Sequence, residues 1–210
     1  MTISPKRSFW LHRDPLVLAS GSETRRKLLQ TCGIPFEAIA PTIDERAVEK
    51  PMVDAGANAA DVALGLARAK ARDVSRAFSG RIVLGSDQTL SLGTERFSKP
   101  VDRAAAVKQL GALAGKTHSL YTAAALMLDG AAIFETIDTA RLSMRDLSIP
   151  FIDRYLDLCG SSALSSVGGY QVEGMGVHLF GKIDGDFSTI MGLPLMPILA
   201  FFRRGGYILS

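Results

Sequence analysis

Hydrophobic positions along the chain follow two rhythms that alternate. Residues 16–20 (LVLAS) form a short apolar run ending in small residues, the pattern of a buried strand. Ser22 then stands where a helix cap belongs, residues 24–31 bring Leu28 and Leu29 to one face, and Gly33 stops the helix. Residues 34–41 predict a second strand, and residues 56–78 a long alanine-rich helix with its basic residues toward the end, where the dipole favours them. Residues 81–92 (RIVLGSDQTLSL) predict a strand with a polar break at Ser86, Asp87 and Gln88, followed by a turn at 93–96. A helix over 102–113 has Asp102 as its cap. Residues 120–128 and 132–144 flank Asp129-Gly130, a two-residue hairpin signal. Residues 149–160 predict an amphipathic helix closed by Gly160, 165–176 a glycine-rich loop, 176–186 a strand and 193–206 a final buried helix. Strands alternating with helices around one long hairpin indicate an α/β or α+β domain with a mixed sheet. No internal repeat or low-complexity linker interrupts it.

Composition narrows the class. In 210 residues, 47% are hydrophobic and 21% charged, a balance that folds rather than stays disordered. A net charge of +3 suits an anionic substrate but falls short of a nucleic-acid footprint, and with 7% aromatics there is no basic stripe with interleaved rings. Cys32 and Cys159 make neither a disulfide framework nor a metal pattern and read as packed thiols. Residues 1–15 (MTISPKRSFWLHRDP) read as a polar N-terminal extension without the apolar run of a signal peptide, and residues 16–210 as a single domain. With no run of about 20 apolar residues to span a bilayer, the expectation is a cytoplasmic protein without membrane or nucleic-acid partners.

The charged positions suggest chemistry. Arg25 and Arg26 lie in the first turn of a helix, where cations oppose the dipole by a few tenths of a kcal/mol. Either they are two solvated surface arginines, or they line a phosphate cradle with the helix-start amides. Asp87 ends an apolar strand, where α/β proteins place ligands; it reads as a metal ligand or proton acceptor, or simply as a turn-former. Asp44 and Glu45, Lys70 among alanines, and Lys99 before a proline each have a similarly ordinary reading. Taken together, two arginines, two lysines and two acidic clusters with few histidines suit metal-assisted phosphate chemistry. Phosphoanhydride hydrolysis needs neutralised phosphates and an oriented water rather than a covalent nucleophile.

LASGSETRRKLL (18–29), DE (44–45), the lysine of LARAKA (Lys70), GSDQ (85–88), SKP (98–100), GGYQVEG (168–174) and GLPL (192–195) occur in this order. The chain thereby resembles the Maf family of nucleotide pyrophosphatases from about Leu16 onward. The resemblance implies a Maf/ITPase-like elongated mixed sheet with flanking helices, two lobes around a central cleft, and often a homodimer. It implies an enzyme cleaving a nucleoside triphosphate between the α and β phosphates with Mg²⁺ or Mn²⁺. By position, Asp87 is similar to the family's catalytic acid/base and Glu45 to its partner carboxylate at the metal. Ser22, Arg25, Arg26, Lys70 and Lys99 correspond to the polyphosphate site, and Lys99 is counted with the catalytic residues as well.

Thr24, Gln88 and Glu173 fall where the family's base preference divides. Gln88 and Glu173 match the branch acting on 7-methyl-GTP, while Thr24 matches neither that branch nor the dTTP/UTP branch. A carboxylate, acceptor-only, suits the paired N–H donors of a guanine edge, and an amide suits a pyrimidine imide. The expected substrate is therefore 7-methyl-GTP or another modified nucleotide. The alternatives are a dTTP/UTP pyrophosphatase and a nucleotide-binding regulator of septum formation. Glu23 stands where the family often has proline, which would repel phosphate unless it points to solvent.

Overall fold

The computed structural model describes residues 8–209. Seven strands form one mixed sheet in the order β2-β1-β3-β5-β6-β7, with β4 on β3. Strand β1 (Leu16–Ala19) is buried along its whole length and parallel to both β2 (Phe36–Ile39) and β3 (Ile82–Leu92), which explains its unbroken apolar run. The turn after β3 leads into β4 (Glu95–Phe97), antiparallel to it. Strands β5 (Thr117–Leu128) and β6 (Ala131–Met144) are joined at Asp129 and Gly130, both at positive φ, as a two-residue hairpin requires. Strand β7 (Phe180–Asp184) pairs antiparallel with β6.

The helices are α1 (Glu23–Thr31), α2 (Glu45–Asp54), α3 (Ala59–Ser75), α4 (Arg103–Leu113), α5 (Ile149–Cys159), α6 (Phe187–Ile190) and α7 (Leu195–Arg204). Ser22 and Asp102 cap α1 and α4 as the sequence predicts. Helix α3 starts on a reciprocal box, with the Asn58 side chain accepting from the Asp61 amide and the Asp61 carboxylate from the Asn58 amide.

The differences from the sequence reading are local. Helix α2 contains Pro51 and starts on Asp44, whose carboxylate accepts from the amides of Arg46 and Ala47 at 3.0 and 3.2 Å. The glycine-rich stretch coils into short 3-10 turns at 160–165, 167–169 and 175–179, so β7 begins only at Phe180. Helix α6 is one turn long, too brief for any periodicity to announce.

The chain divides into two compact units. One comprises the residues up to Gln88, Thr122–Asp138 and those from Gly192 on; the other comprises Thr89–Tyr121 and Thr139–Met191. Each has its own core. In the first, Leu16, Leu18, Leu29, Leu84, Leu126 and Phe202 are fully buried. In the second, Leu90, Leu110, Leu113, Leu120 and Leu142 play that part. Trp10 joins the first core edge-on to Phe202, its Nε1 donating to the Asp14 carbonyl, and residues 9–11 run antiparallel to 207–209. No helix among the described residues is long and apolar enough to cross a membrane.

Candidate active site

The site in the first unit begins with a missing side chain. A Cβ on Gly85 of β3 would lie 2.3 Å from the Ala67 carbonyl oxygen and 2.7 Å from the Ala71 amide. Glycine is therefore what lets helix α3 lie directly on β3. That contact sets the register of the two elements and brings Lys70 to Asp87. Lys70 Nζ donates to Asp87 Oδ1 at 2.5 Å and is 2.8 Å from Glu45 Oε1. Both members of the strand-to-helix pair are buried, whereas Glu45, at the start of α2, is half exposed. Of the Asp44-Glu45 pair, Glu45 reaches the lysine, while Asp44 Oδ1 caps α2.

The two arginines take different directions. Arg25 Nε donates to the Gly192 carbonyl at 2.6 Å, and Nη1 donates to Ser20 Oγ at 3.3 Å. The same Gly192 oxygen takes a bond from the buried Ser86 hydroxyl at 3.0 Å, so it is held from two sides. Gly192 sits at φ +94°, a conformation that side-chain-bearing residues rarely adopt, in contact with the guanidinium. Arg25 lies in the field of Asp87 and Glu45, which support its charge against the burial that pulls its pKa down. Arg26 instead donates to the Gly21 carbonyl at 3.1 Å and stands 3.8 Å from Glu23. Glu23 is largely exposed.

Burial pushes the Asp87 carboxyl above its ordinary value, with Lys70 and Arg25 pulling against it and Glu45 adding to the rise. Ser22 Oγ accepts from the Arg25 amide at 3.4 Å as the helix cap, and Thr24 is half-buried in the first turn. Gln88 Nε2 donates to Thr122 Oγ1 at 2.8 Å. Lys99 and Glu173 belong to the second unit, where both are exposed, and Glu173 lies in the loop between 3-10 turns.

Thus Arg25, Glu45, Lys70 and Asp87 converge within one unit. Gly85, Ser86 and Gly192 hold this arrangement in place, and in the sequence only their presence inside GSDQ and GLPL marks them.

The Maf-like protein family model matches residues 15–204. The chain belongs to the Maf family. Similar proteins align over almost their whole length. The 7-methyl-GTP pyrophosphatase of Rhizobium meliloti (strain 1021) is 50% identical over 92% of this chain and 97% of that protein. The enzyme of the same name from Brucella suis biovar 1 (strain 1330) is 54% identical over 90% and 95%. A nucleoside triphosphate pyrophosphatase of Rhodopseudomonas palustris (strain BisB18) is 50% identical over 94% and 96%.

The family implies a divalent cation, and the donor set can be tested against one. Two carboxylates converging on a single ammonium form a place suited to positive charge. Among the described residues no group of three or more His, Cys, Asp or Glu is arranged to hold a metal. Two carboxylates completed by phosphate oxygens and water fit Mg²⁺, which keeps its waters and prefers oxygen.

Proposed function

We propose that the protein is a nucleoside triphosphate pyrophosphatase acting on 7-methyl-GTP or a similarly modified nucleotide. The observation that carries this reading is the convergence of Lys70, Asp87 and Glu45, with Arg25 in their field. Two cations and two carboxylates in a half-buried site match what hydrolysis of a charged anhydride requires. Arg25 and Lys70 would neutralise the polyphosphate, with Ser22 and Arg26 contributing from the start of α1 and Lys99 from its own loop. Asp87 would take a proton from the attacking water, helped by the upward push that burial gives its carboxyl. Water adds to phosphorus, the bridge between the α and β phosphates breaks, and a nucleoside monophosphate and diphosphate leave. Mg²⁺ or Mn²⁺ on Asp87 and Glu45 would draw charge from the anhydride and lower the pKa of a bound water.

The base preference rests on Gln88 and Glu173 and on the names of relatives near half identity. A carboxylate at position 173 accepts from the paired N–H groups of a guanine edge. The test is diphosphate release, with Mg²⁺, from a panel of canonical and methylated triphosphates. The expected result is highest kcat/KM on 7-methyl-GTP, with Glu173→Gln moving preference toward dTTP and UTP. No diphosphate release from any member of the panel would overturn the activity; a Glu173→Gln profile like that of the wild type would overturn the edge reading.

A further inference from the structure

We infer that Lys70 is the resident cation of the free site and makes metal affinity depend on the arrival of the triphosphate. The inference rests on the reading that Asp87 and Glu45 are the metal carboxylates, and adds to it a competitor. Lys70 Nζ contacts one oxygen of each of those carboxylates, at 2.5 and 2.8 Å. Its own side chain is only 8% exposed, so its charge is not dispersed into bulk water. Arg25 already adds a second cation to the field of the same two carboxylates. Locally the four side chains cancel, two positive against two negative. A divalent ion entering alone would contend with the ammonium for the same oxygens and leave the site doubly positive.

A triphosphate removes both obstacles. Its oxygens supply the missing negative charge and offer Lys70 another acceptor, so the flexible four-carbon stem can release the carboxylates without leaving its ammonium unpaired. Lysine suits this task better than arginine, whose planar fork would hold both carboxylates together. Free protein would then resist bare metal while keeping Asp87 and Glu45 oriented, and metal and nucleotide would strengthen each other's binding equally.

Mn²⁺ binding, followed by the loss of the free-ion electron paramagnetic resonance signal, tests this without turnover. The samples are the wild type, Lys70→Met, Lys70→Gln, and each of these combined with Asp87→Asn. Without nucleotide, the lysine variants should bind Mn²⁺ at least about tenfold more tightly than the wild type, since a neighbouring charge commonly shifts such equilibria ten- to a thousand-fold. The Asp87→Asn combination should abolish that gain. For the wild type, α,β-methylene GTP should tighten Mn²⁺ binding beyond what the analogue binds in free solution. This last comparison keeps the test alive if both lysine variants fail to fold. Equal Mn²⁺ affinity with and without Lys70, or wild-type affinity unmoved by the analogue, overturns the inference alone. A gain that survives Asp87→Asn puts the metal elsewhere and overturns the metal assignment beneath it.

Discussion

At the scale of single residues, the carboxylate of Asp87 is the group with the most at stake. It is buried on β3, paired with Lys70, and pushed above its ordinary value of 3.8 by desolvation. A base must be unprotonated to act, so activity rises with pH as this group ionises. The acid limb of kcat/KM, which reports the free enzyme, should therefore inflect above 3.8. Replacing Asp87 by alanine should cost about a hundredfold or more in kcat, the usual range for losing a general base. Diphosphate release measured between pH 4 and 9 checks both points. A variant with wild-type turnover, or a limb that persists unchanged in Asp87→Asn, would remove the assigned role. Arg25 illustrates how far position decides function: its neighbour Arg26 has the same chemistry but turns back onto the Gly21 carbonyl.

At the scale of elements, the site is a consequence of α3 lying on β3 without a side chain between them. Gly85→Ala would drive a methyl into the Ala67 carbonyl and Ala71 amide, both backbone groups with little freedom to yield. Overpacking of this kind costs about 1–3 kcal/mol, and the helix must move away from the strand to relieve it. Because Lys70 and Asp87 sit on the two surfaces being forced apart, activity should fall by more than stability alone explains at 25 °C. Urea unfolding and steady-state kinetics on the same preparation separate the two effects. A variant destabilised yet fully active would show that the register is not set at Gly85. This contact also marks where sequence reading stopped. Caps at Ser22 and Asp102, the Asp129-Gly130 turn and the alanine-rich helix were legible because each signal is local. Helix α2 was not, because Pro51 argues against it and Asp44 reads as a free carboxylate until its capping bonds are seen. Asp87 and Lys70 could be named as candidates, but their pairing depends on a close approach that only the folded glycine permits. Glu45 joins them for a related reason: α2 places it, and α2 itself was unforeseen.

At the scale of the whole molecule, stability carries a titration of its own, far from the proposed chemistry in role. His118 on β5 is buried in the core of the second unit, Nε2 lying 2.6 Å from the Tyr170 hydroxyl with the rings of Tyr170 and Phe180 packed around it. Its Nδ1 is buried without a hydrogen-bond partner, so a proton added there would gain no acceptor. Burial lowers its pKa from 6.5 to about 4. The unfolded chain thus takes up this proton below pH 6.5, while the folded one resists until about pH 4. Stability from the neutral imidazole is complete above 6.5 and drains away as pH falls toward the folded value, amounting to about 2 kcal/mol at pH 5 and about 3 in all. The raised Asp87 carboxyl works in the opposite sense, its contribution growing as pH falls, so the total slope alone cannot isolate the histidine. A difference measurement can. His118→Gln keeps a side chain able to bond the Tyr170 hydroxyl but has nothing to titrate in this range. Urea unfolding free energies at pH 7.5 and pH 5 should show the wild type losing about 2 kcal/mol more than the variant over that interval. Parallel losses in the two proteins would mean that His118 is protonated as readily in the fold as in the unfolded chain, and that its burial is less complete than its packing against Tyr170 and Phe180 requires.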